Sequence, residues 1–207
     1  MAGIHRYKHE GRSVALYAID HSVGRGGSNR MDDVQLIQAL INRYIVATET
    51  VAKRKGPKWT ARTLDSSGRV INKLRIDGQC GPLTLAAILA VQRSFNYWRG
   101  CTVDGLIDAV RDGSASYHKT GRVQFTYLAI DKRGKYVHEK FMCQSWSAMY
   151  FLAAYTNAFA DRLIGIANEN FGLEPFDVYS LPNPLKSSLL RASVGATVEK
   201  LVNLAGG

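Results

Sequence analysis

The segment IDGQCGPLTLAAILAVQ (residues 76–92) constrains the fold more than any other part of the chain. Asp77 and Gly78 predict a tight turn, because an aspartate side chain bonds to the backbone two residues on and glycine accepts a positive φ. Gly81 allows a tight entry, and Pro82 suits the first helical position, where no N–H is needed. The residues that then recur at helical spacing on one face are Thr84, Ala87, Ile88, Val91 and Phe95. The segment therefore predicts a turn that leads into a helix, and the stretch from Val103 to Asp108 repeats the turn chemistry.

An earlier helix is expected to begin near Asp32 and Asp33, since carboxylates suit the positive end of a helix dipole. Its apolar face is formed by Val34, Ile37, Ile41, Tyr44 and Ile45. The stretch from Asp20 to Arg30 reads as a loop because of its glycines and small polar residues.

The ordered combination of these features resembles the peptidoglycan-binding-domain-like family. Its members show a first helix of the kind "DV..iQ.lL", then a loop and helix of the kind "vDG.fG..T..Ai..fQ". Here DDVQLIQALIN (Asp32–Asn42) and the segment 76–92 match, and SVGRGGSN (Ser22–Asn29) precedes them. The likeness is to the version attached to effectors and accessory proteins of type VI secretion and phage-like systems. It covers residues 22–110 and implies a three-helix bundle that binds peptidoglycan.

The resemblance also implies which residues contact the ligand. The matching positions, together with two residues of the basic connection described next, are Asp77, Gly78, Gly81, Thr84, Gln92, Trp59 and Arg75. The family positions have a second interpretation as a turn, a helix start and core residues, because a fold signature does not by itself establish a ligand. Two features depart from the family: the link between the helices is long, and Cys80 stands where an aromatic residue is common.

A basic connection separates the two helices. Within a basic insertion at residues 43–75, the stretch from Lys53 to Arg75 carries eight lysines and arginines, in a chain whose formal net charge is +10. Such an excess favours an anionic partner such as a cell-wall polymer, although it is also compatible with a merely soluble basic protein. Nucleic acid ranks lowest as a partner, because charge alone suggests it. Trp59 either stacks on a ligand ring or anchors the connection on the core.

The second half of the chain has a different pattern. Gly121 to Phe141 predicts a β-hairpin, and Phe141 to Ala160, which carries no formal charge, predicts a buried helix rather than a membrane span. A terminal helix is expected from Pro184 to Leu204, and Ser13 to Ile19 predicts a strand. The expected fold class is α+β, mainly α: a strand or extension (1–21), the helical domain (22–115), and a hairpin plus two or more long helices (116–207).

Candidates for catalysis are sparse. Cys143, at the expected start of the apolar helix, has a thiol whose pKa a helix dipole would lower, and His138 is the nearest base. The alternative is a small buried cysteine. The carboxylates Glu139, Asp161, Glu169, Glu174 and Asp177 show no distinguishing spacing, and the five histidines show no metal-ligand spacing. No cofactor and no metal is expected, and a bond between Cys80 and Cys101 is left open.

The leading hypothesis is a non-catalytic peptidoglycan-binding module fused to a small C-terminal domain, with a secretion-spike or immunity protein as a further partner. The alternatives are a cell-wall hydrolase with its active site in the C-terminal half and a membrane-active effector. The stretch from Met1 to Glu10 lacks an apolar core, so no secretory signal is expected. The protein is therefore expected to be made in the cytoplasm and to act in the periplasm or envelope after leaderless export or lysis.

Overall fold

The described part of the chain forms three α-helices and six β-strands. The computed structural model describes residues 2–9, 12–55, 67, 69–99, 101–109, 118–130, 136–146, 148–156, 176–183 and 185–192. The helices are α1 (Met31–Lys55), α2 (Pro82–Arg99) and α3 (Ala148–Tyr155). The strands are β1 (Gly3–His9), β2 (Arg12–Ala18), β3 (Val23–Gly24), β4 (Leu106–Ile107), β5 (His118–Ile130) and β6 (Tyr136–Trp146). A single 3-10 turn, Val178–Ser180, and a helical stretch over 185–192 follow.

Helix α1 is the central element. Every residue from 32 to 41 is buried, including Gln35 and Gln38, so the helix is covered on all sides over this length. The sequence predicted a helix with one apolar face, and its start near Asp32 and Asp33 is confirmed. A helix covered all round belongs to the middle of a fold rather than to its surface.

The first hairpin is tied to the start of α1. Strands β1 and β2 pair antiparallel, with Gly3 opposite Ala18. The predicted strand over Ser13 to Ile19 is confirmed by β2, whereas β1 falls in a segment whose polar residues gave no strand signal. The Ala2 N–H donates to Asp32 Oδ2 at 3.0 Å, which fixes the entry of β1 against the helix terminus.

A buried carboxylate strengthens the same attachment. Asp33 accepts a hydrogen bond from the Asp20 N–H at 3.2 Å and lies 3.2 Å from His21 Nδ1. Burial raises the pKa of the Asp33 carboxyl above its ordinary value, and these hydrogen bonds oppose the rise. His5 Nε2 in turn lies 2.7 Å from Asp20 Oδ1, so the hairpin and the first turn of α1 share one polar network.

The second hairpin is longer than the sequence predicted. The prediction over Gly121 to Phe141 is confirmed in kind, with Val123 opposite Cys143 and Ile130 opposite Tyr136. The predicted helix from Phe141 to Ala160 is wrong over its first residues, because β6 runs to Trp146. Residues 141–146 pair with β5 instead of forming a helix. A short apolar run does not by itself distinguish a strand from a helix.

Helix α3 is short and packs into the interior. Its residues Met149, Leu152 and Ala153 are fully buried, which confirms the buried helix over this part of the predicted segment. Among the described residues, no helix has the length and apolar character needed to cross a bilayer. The terminal helix predicted from Pro184 is helical over 185–192, and its remainder lies outside the described residues.

One hydrophobic cluster joins these elements. It includes Leu16 of the first hairpin, Ile37 of α1, Ile88 of α2, Leu152 of α3 and Leu189 near the end of the described chain. The mixed helix and strand class is thereby confirmed. Within residues 22–115 the described part holds two helices, α1 and α2, and the further helix that contacts α1 is α3, from beyond this range. The division into domains stays a prediction.

Candidate functional site

The turn at Asp77 and Gly78 is clamped from below by one side chain of α1. Gln38 Nε2 donates to Asp77 Oδ1 at 2.9 Å and to the Gln79 carbonyl at 3.1 Å, while Gln38 Oε1 accepts from the Gly78 N–H at 3.0 Å. Asp77 Oδ1 also accepts from the Gln79 N–H at 2.9 Å. The amide of Gln38 therefore satisfies donors and acceptors of the turn at once, and only 1% of the residue is exposed.

The second turn repeats this arrangement bond for bond. Gln92 Nε2 donates to Asp104 Oδ1 at 3.0 Å and to the Leu106 carbonyl at 2.9 Å, and Gln92 Oε1 accepts from the Gly105 N–H at 2.8 Å. Asp104 Oδ1 accepts from the Leu106 N–H at 3.0 Å. Gln92 is thus a structural clamp like Gln38, although the resemblance implied a ligand contact for it.

An asparagine extends the repeat. Asn42 Nδ2 donates to the Leu74 carbonyl at 2.8 Å, and Asn96 Nδ2 donates to the Cys101 carbonyl at 2.7 Å. In both units the asparagine follows the clamping glutamine by four residues, and its partner precedes the aspartate by three. We call each set, Gln38–Asn42–Asp77–Gly78 and Gln92–Asn96–Asp104–Gly105, a clamp unit. The chain therefore contains two clamp units in the same register.

The clamp units differ in length. Asp77 follows Gln38 by 39 residues, whereas Asp104 follows Gln92 by 12, so the first unit holds 27 additional residues. Because the contacts of the two asparagines keep the register, these additional residues lie between Asn42 and Leu74. The length difference between the two units therefore falls within this stretch, and the domain bounds, with an insertion at 43–75, stay a prediction.

Glycine is required inside the turns but not at the start of α2. Gly78 has φ +76°, and an added Cβ would lie 2.4 Å from Met31 Cγ. Gly81 accepts the first helical hydrogen bond from Leu85 N–H at 3.0 Å, and an added Cβ there meets no atom within 4 Å. The expectation that Gly81 provides a tight entry is therefore not supported by its surroundings.

Gly24 connects the two turns. The Arg25 N–H donates to the Gly105 carbonyl at 2.8 Å in the β3–β4 pair. Burial raises the pKa of the Cys80 thiol, and a hydrogen bond with the Gly24 backbone opposes the rise. Cys80 and Cys101 are not bonded to each other. Cys80 is half-buried and packs against the hydrophobic core.

A groove opens beside the first turn. It has a volume of about 480 Å³ and runs between segment 69–75, the turn at Asp77, and the start of α2. Its cationic lining consists of Arg69, Lys73 and Arg75, all exposed. Its apolar lining includes Leu83, which is 77% exposed, and Val70, which is 44% exposed. Segment 69–75 thus brings charged donors together with the apolar Val70, and the start of α2 brings further apolar surface.

A second depression adjoins the groove along α2. It has a volume of about 300 Å³ and shares Pro82 and Ala86 with the groove, adding Leu85, Leu89 and Arg93. The apolar surface therefore continues along the helix and ends at another cation.

The structure brings several of the predicted ligand residues to this groove. Arg75, Asp77, Gly81 and Thr84 line it. Thr84 is buried, and its hydroxyl donates to the Gln79 carbonyl and accepts from Gln38 Nε2, both at 3.2 Å, so it serves mainly to hold the turn. Gly78 lies in the turn, Gln92 belongs to the second clamp unit, and Trp59 lies outside the described residues.

Other groove residues were not singled out from the sequence. Arg69 and Lys73 were part of the basic run, and Leu83 lies off the predicted apolar face of α2. The sequence does contain one indication of these residues. The Gln, Asn and Asp-Gly positions recur in both clamp units, and comparing their spacing shows that the insertion ends just before Leu74, next to Arg69 and Lys73. One cation of the insertion has other contacts: Arg43 donates to the Thr156 carbonyl at 3.0 Å and lies over the Phe176 ring.

The cysteine hypothesis is not supported by the backbone. Cys143 lies in β6 and not at a helix start, so the proposed helix-dipole activation is wrong. In the β5–β6 pair, Cys143 lies opposite Val123, and His138, five positions earlier in β6, lies opposite Leu128. Of the candidate carboxylates, Asp177 caps a 3-10 turn by accepting from the Tyr179 N–H at 2.9 Å. Glu139 lies in β6, and the others lie outside the described residues.

In the part of the chain that the structure describes, no group of three or more histidine, cysteine, aspartate or glutamate residues could hold a metal ion. Comparison of the chain with protein-family models, curated proteins and solved structures gives no match.

The clamp predicts a large stability difference between two neighbouring glutamines. Gln38→Met removes four hydrogen bonds and leaves the Gly78 N–H unsatisfied, so we expect a loss of about 3 kcal/mol in the free energy of unfolding. Gln35→Met is the matched control, because Gln35 is also buried on α1 and its Oε1 accepts no hydrogen bond from the described residues. It should change stability by less than about 1 kcal/mol. Urea denaturation of both variants measures this, and equal losses would contradict the clamp.

The glycines give a second stability contrast. Gly78→Ala should cost about 2 kcal/mol or more, because the backbone is left-handed and the added methyl meets Met31. Gly81→Ser should stay within about 0.5 kcal/mol of the parent, because serine is a favoured N-cap and its Cβ enters open space. Thermal unfolding followed by circular dichroism would show the contrast, and similar melting temperatures for the two variants would refute it.

Acid should weaken the first clamp unit. Hydrogen bonds from the Gln79 N–H and from Gln38 hold the pKa of Asp77 below its ordinary value. Ionised Asp77 therefore stabilises the fold above about pH 4, and this contribution is lost as the pH falls through the lowered pKa of the folded state. Asp77→Asn keeps an acceptor oxygen but does not titrate. Between about pH 5 and about pH 2.5, urea denaturation should show a smaller loss of stability for the variant than for the parent. An equal loss would count against the role of the charge.

Proposed function

We propose that this chain is a non-catalytic binding module that holds peptidoglycan, or another anionic cell-wall polymer, in the groove beside the first clamp unit. The observation that carries the proposal is the exposed set of Arg69, Lys73 and Arg75 along one wall of that groove. The cations face an anionic ligand, and the clamp beneath them fixes the position of the groove.

The rigidity of the site supports binding. Leu74, which lies between Lys73 and Arg75, has both backbone groups bonded to Asn42: its N–H donates to Oδ1 at 2.6 Å and its carbonyl accepts at 2.8 Å. Asp77 is held by Gln38 as described above. A site whose residues are fixed before the ligand arrives loses less conformational entropy on binding.

The sequence pattern supports the choice of ligand. The two stretches that resemble peptidoglycan-binding-domain-like proteins are those that form α1, the first turn and α2. The formal net charge of +10 favours an anionic polymer at longer range as well. A module of this kind would act in the cell envelope. The association with type VI secretion or phage-like systems, and with a spike or immunity protein, rests on the resemblance alone and stays a prediction.

The groove charges should control retention on purified peptidoglycan sacculi. The double variant Lys73→Glu/Arg75→Glu reverses two exposed charges of the groove, and we expect its retention to fall at least about tenfold at moderate salt. Arg191→Glu is the matched control, because Arg191 is exposed and lies on the helical stretch 185–192, away from the groove lining. A pull-down followed by quantification of bound protein measures the effect.

Two results would overturn the proposal. One is a parent protein that is retained no better than an unrelated basic protein of similar size. The other is an equal loss of retention in the groove variant and in the Arg191 control, which would reduce the interaction to unspecific charge attraction.

A further inference from the structure

The size of the groove limits what part of a polymer it can hold. Its volume of about 480 Å³ lies within the range of sites for small ligands, roughly 300–1,000 Å³. A long polymer would therefore insert one short segment or one end, and the remainder would stay outside.

The cationic wall favours carboxylates. Two of its three cations, Arg69 and Arg75, are arginines, and the planar guanidinium binds a carboxylate through two parallel hydrogen bonds. Lys73 between them adds a compact positive charge. The carboxylate of Asp77 lies at the end of this wall, but its Oδ1 is engaged by Gln79 and Gln38 inside the turn. The net charge that faces a ligand is positive.

The opposite wall favours aliphatic groups over sugar rings. Pro82, Leu83 and Ala86 present apolar surface, and Leu83 is 77% exposed. Sugar rings are commonly bound on the faces of aromatic side chains, and none of the described lining residues is aromatic. Small aliphatic side chains of a ligand suit this wall better, because their contact with Leu83 would remove its exposed apolar surface from water.

We infer that the groove takes the carboxylate-bearing end of a short peptide whose side chains are small and aliphatic. The carboxylates lie against Arg69, Lys73 and Arg75, and an aliphatic side chain covers Leu83. The inference rests on the proposed function, in which the ligand belongs to the cell wall, and it assigns recognition to the peptide part of that wall rather than to the glycan.

A titration of the full chain tests the chemistry directly. The probes are the acetylated peptide Ala-Glu-Ala-Ala with a free C-terminal carboxylate and an uncharged analogue, Ala-Gln-Ala-Ala with a C-terminal amide. Chemical-shift changes in a ¹⁵N spectrum should concentrate at 69–86, and the uncharged analogue should bind at least about tenfold more weakly.

Two substitutions at one position locate the ligand. Gly81→Glu places a negative charge in the open space of the groove and should weaken binding of the acidic peptide at least about tenfold. Gly81→Ser occupies the same position without charge and should weaken binding much less than Gly81→Glu does. Because the position is expected to tolerate a side chain, melting temperatures close to that of the parent are expected for both. Arg191→Glu, which lies away from the groove lining, is the control that should bind like the parent.

A second arm separates this inference from the proposed function. Intact sacculi and sacculi whose peptides have been removed enzymatically are compared in the same pull-down. Retention on intact sacculi only, together with carboxylate-dependent peptide binding, supports both proposals. Equal retention on peptide-free glycan overturns the inference and leaves the proposed function standing. Peptide binding without retention on sacculi supports the inference about the groove chemistry and overturns cell-wall binding. The absence of both overturns both.

Discussion

The hydrogen bonds of two buried glutamine amides organise the part of the fold that carries the groove. A glutamine side chain can donate and accept at the same time, so Gln38 bonds to the carboxylate, an N–H and a carbonyl of one turn. A buried polar group is costly unless it is paired, and this cost makes the position of the turn specific. These hydrogen bonds therefore fix where α2 begins and where one end of the groove lies.

The two clamp units show that the connection between the glutamine and the turn can differ greatly in length while the hydrogen-bonded scaffold stays the same. The register between glutamine, asparagine and aspartate contacts is the same in both, although the first unit is 27 residues longer. Loop length costs little conformational entropy once the ends are fixed, because the closure entropy grows only with the logarithm of length. The end of the insertion that returns to the fold supplies the cations Arg69 and Lys73, and the scaffold supplies Asp77 and the helix.

Local signals made the first half of the chain predictable. The start of α1 follows from Asp32 and Asp33, and the turn at Asp77 follows from side-chain and glycine conformational preferences. The limits of prediction also have physical reasons. β1 is stabilised by pairing with β2, which a polar segment does not reveal, and residues 141–146 pair across a hairpin, although their apolar character suited a helix equally. The groove needed the tertiary arrangement, because residues 69–75 and Leu83 meet only when α2 is in place.

The open space beside Gly81 has a consequence for how such a module can diversify. Stability depends on atoms beneath the turn, namely the amide of Gln38 and the close contact of Gly78 with Met31. The space above the turn, next to Gly81, is unused by the fold. Selection for a new ligand can therefore act on one side of the same short loop while selection for folding acts on the other, so affinity can drift or be redesigned at little cost in stability.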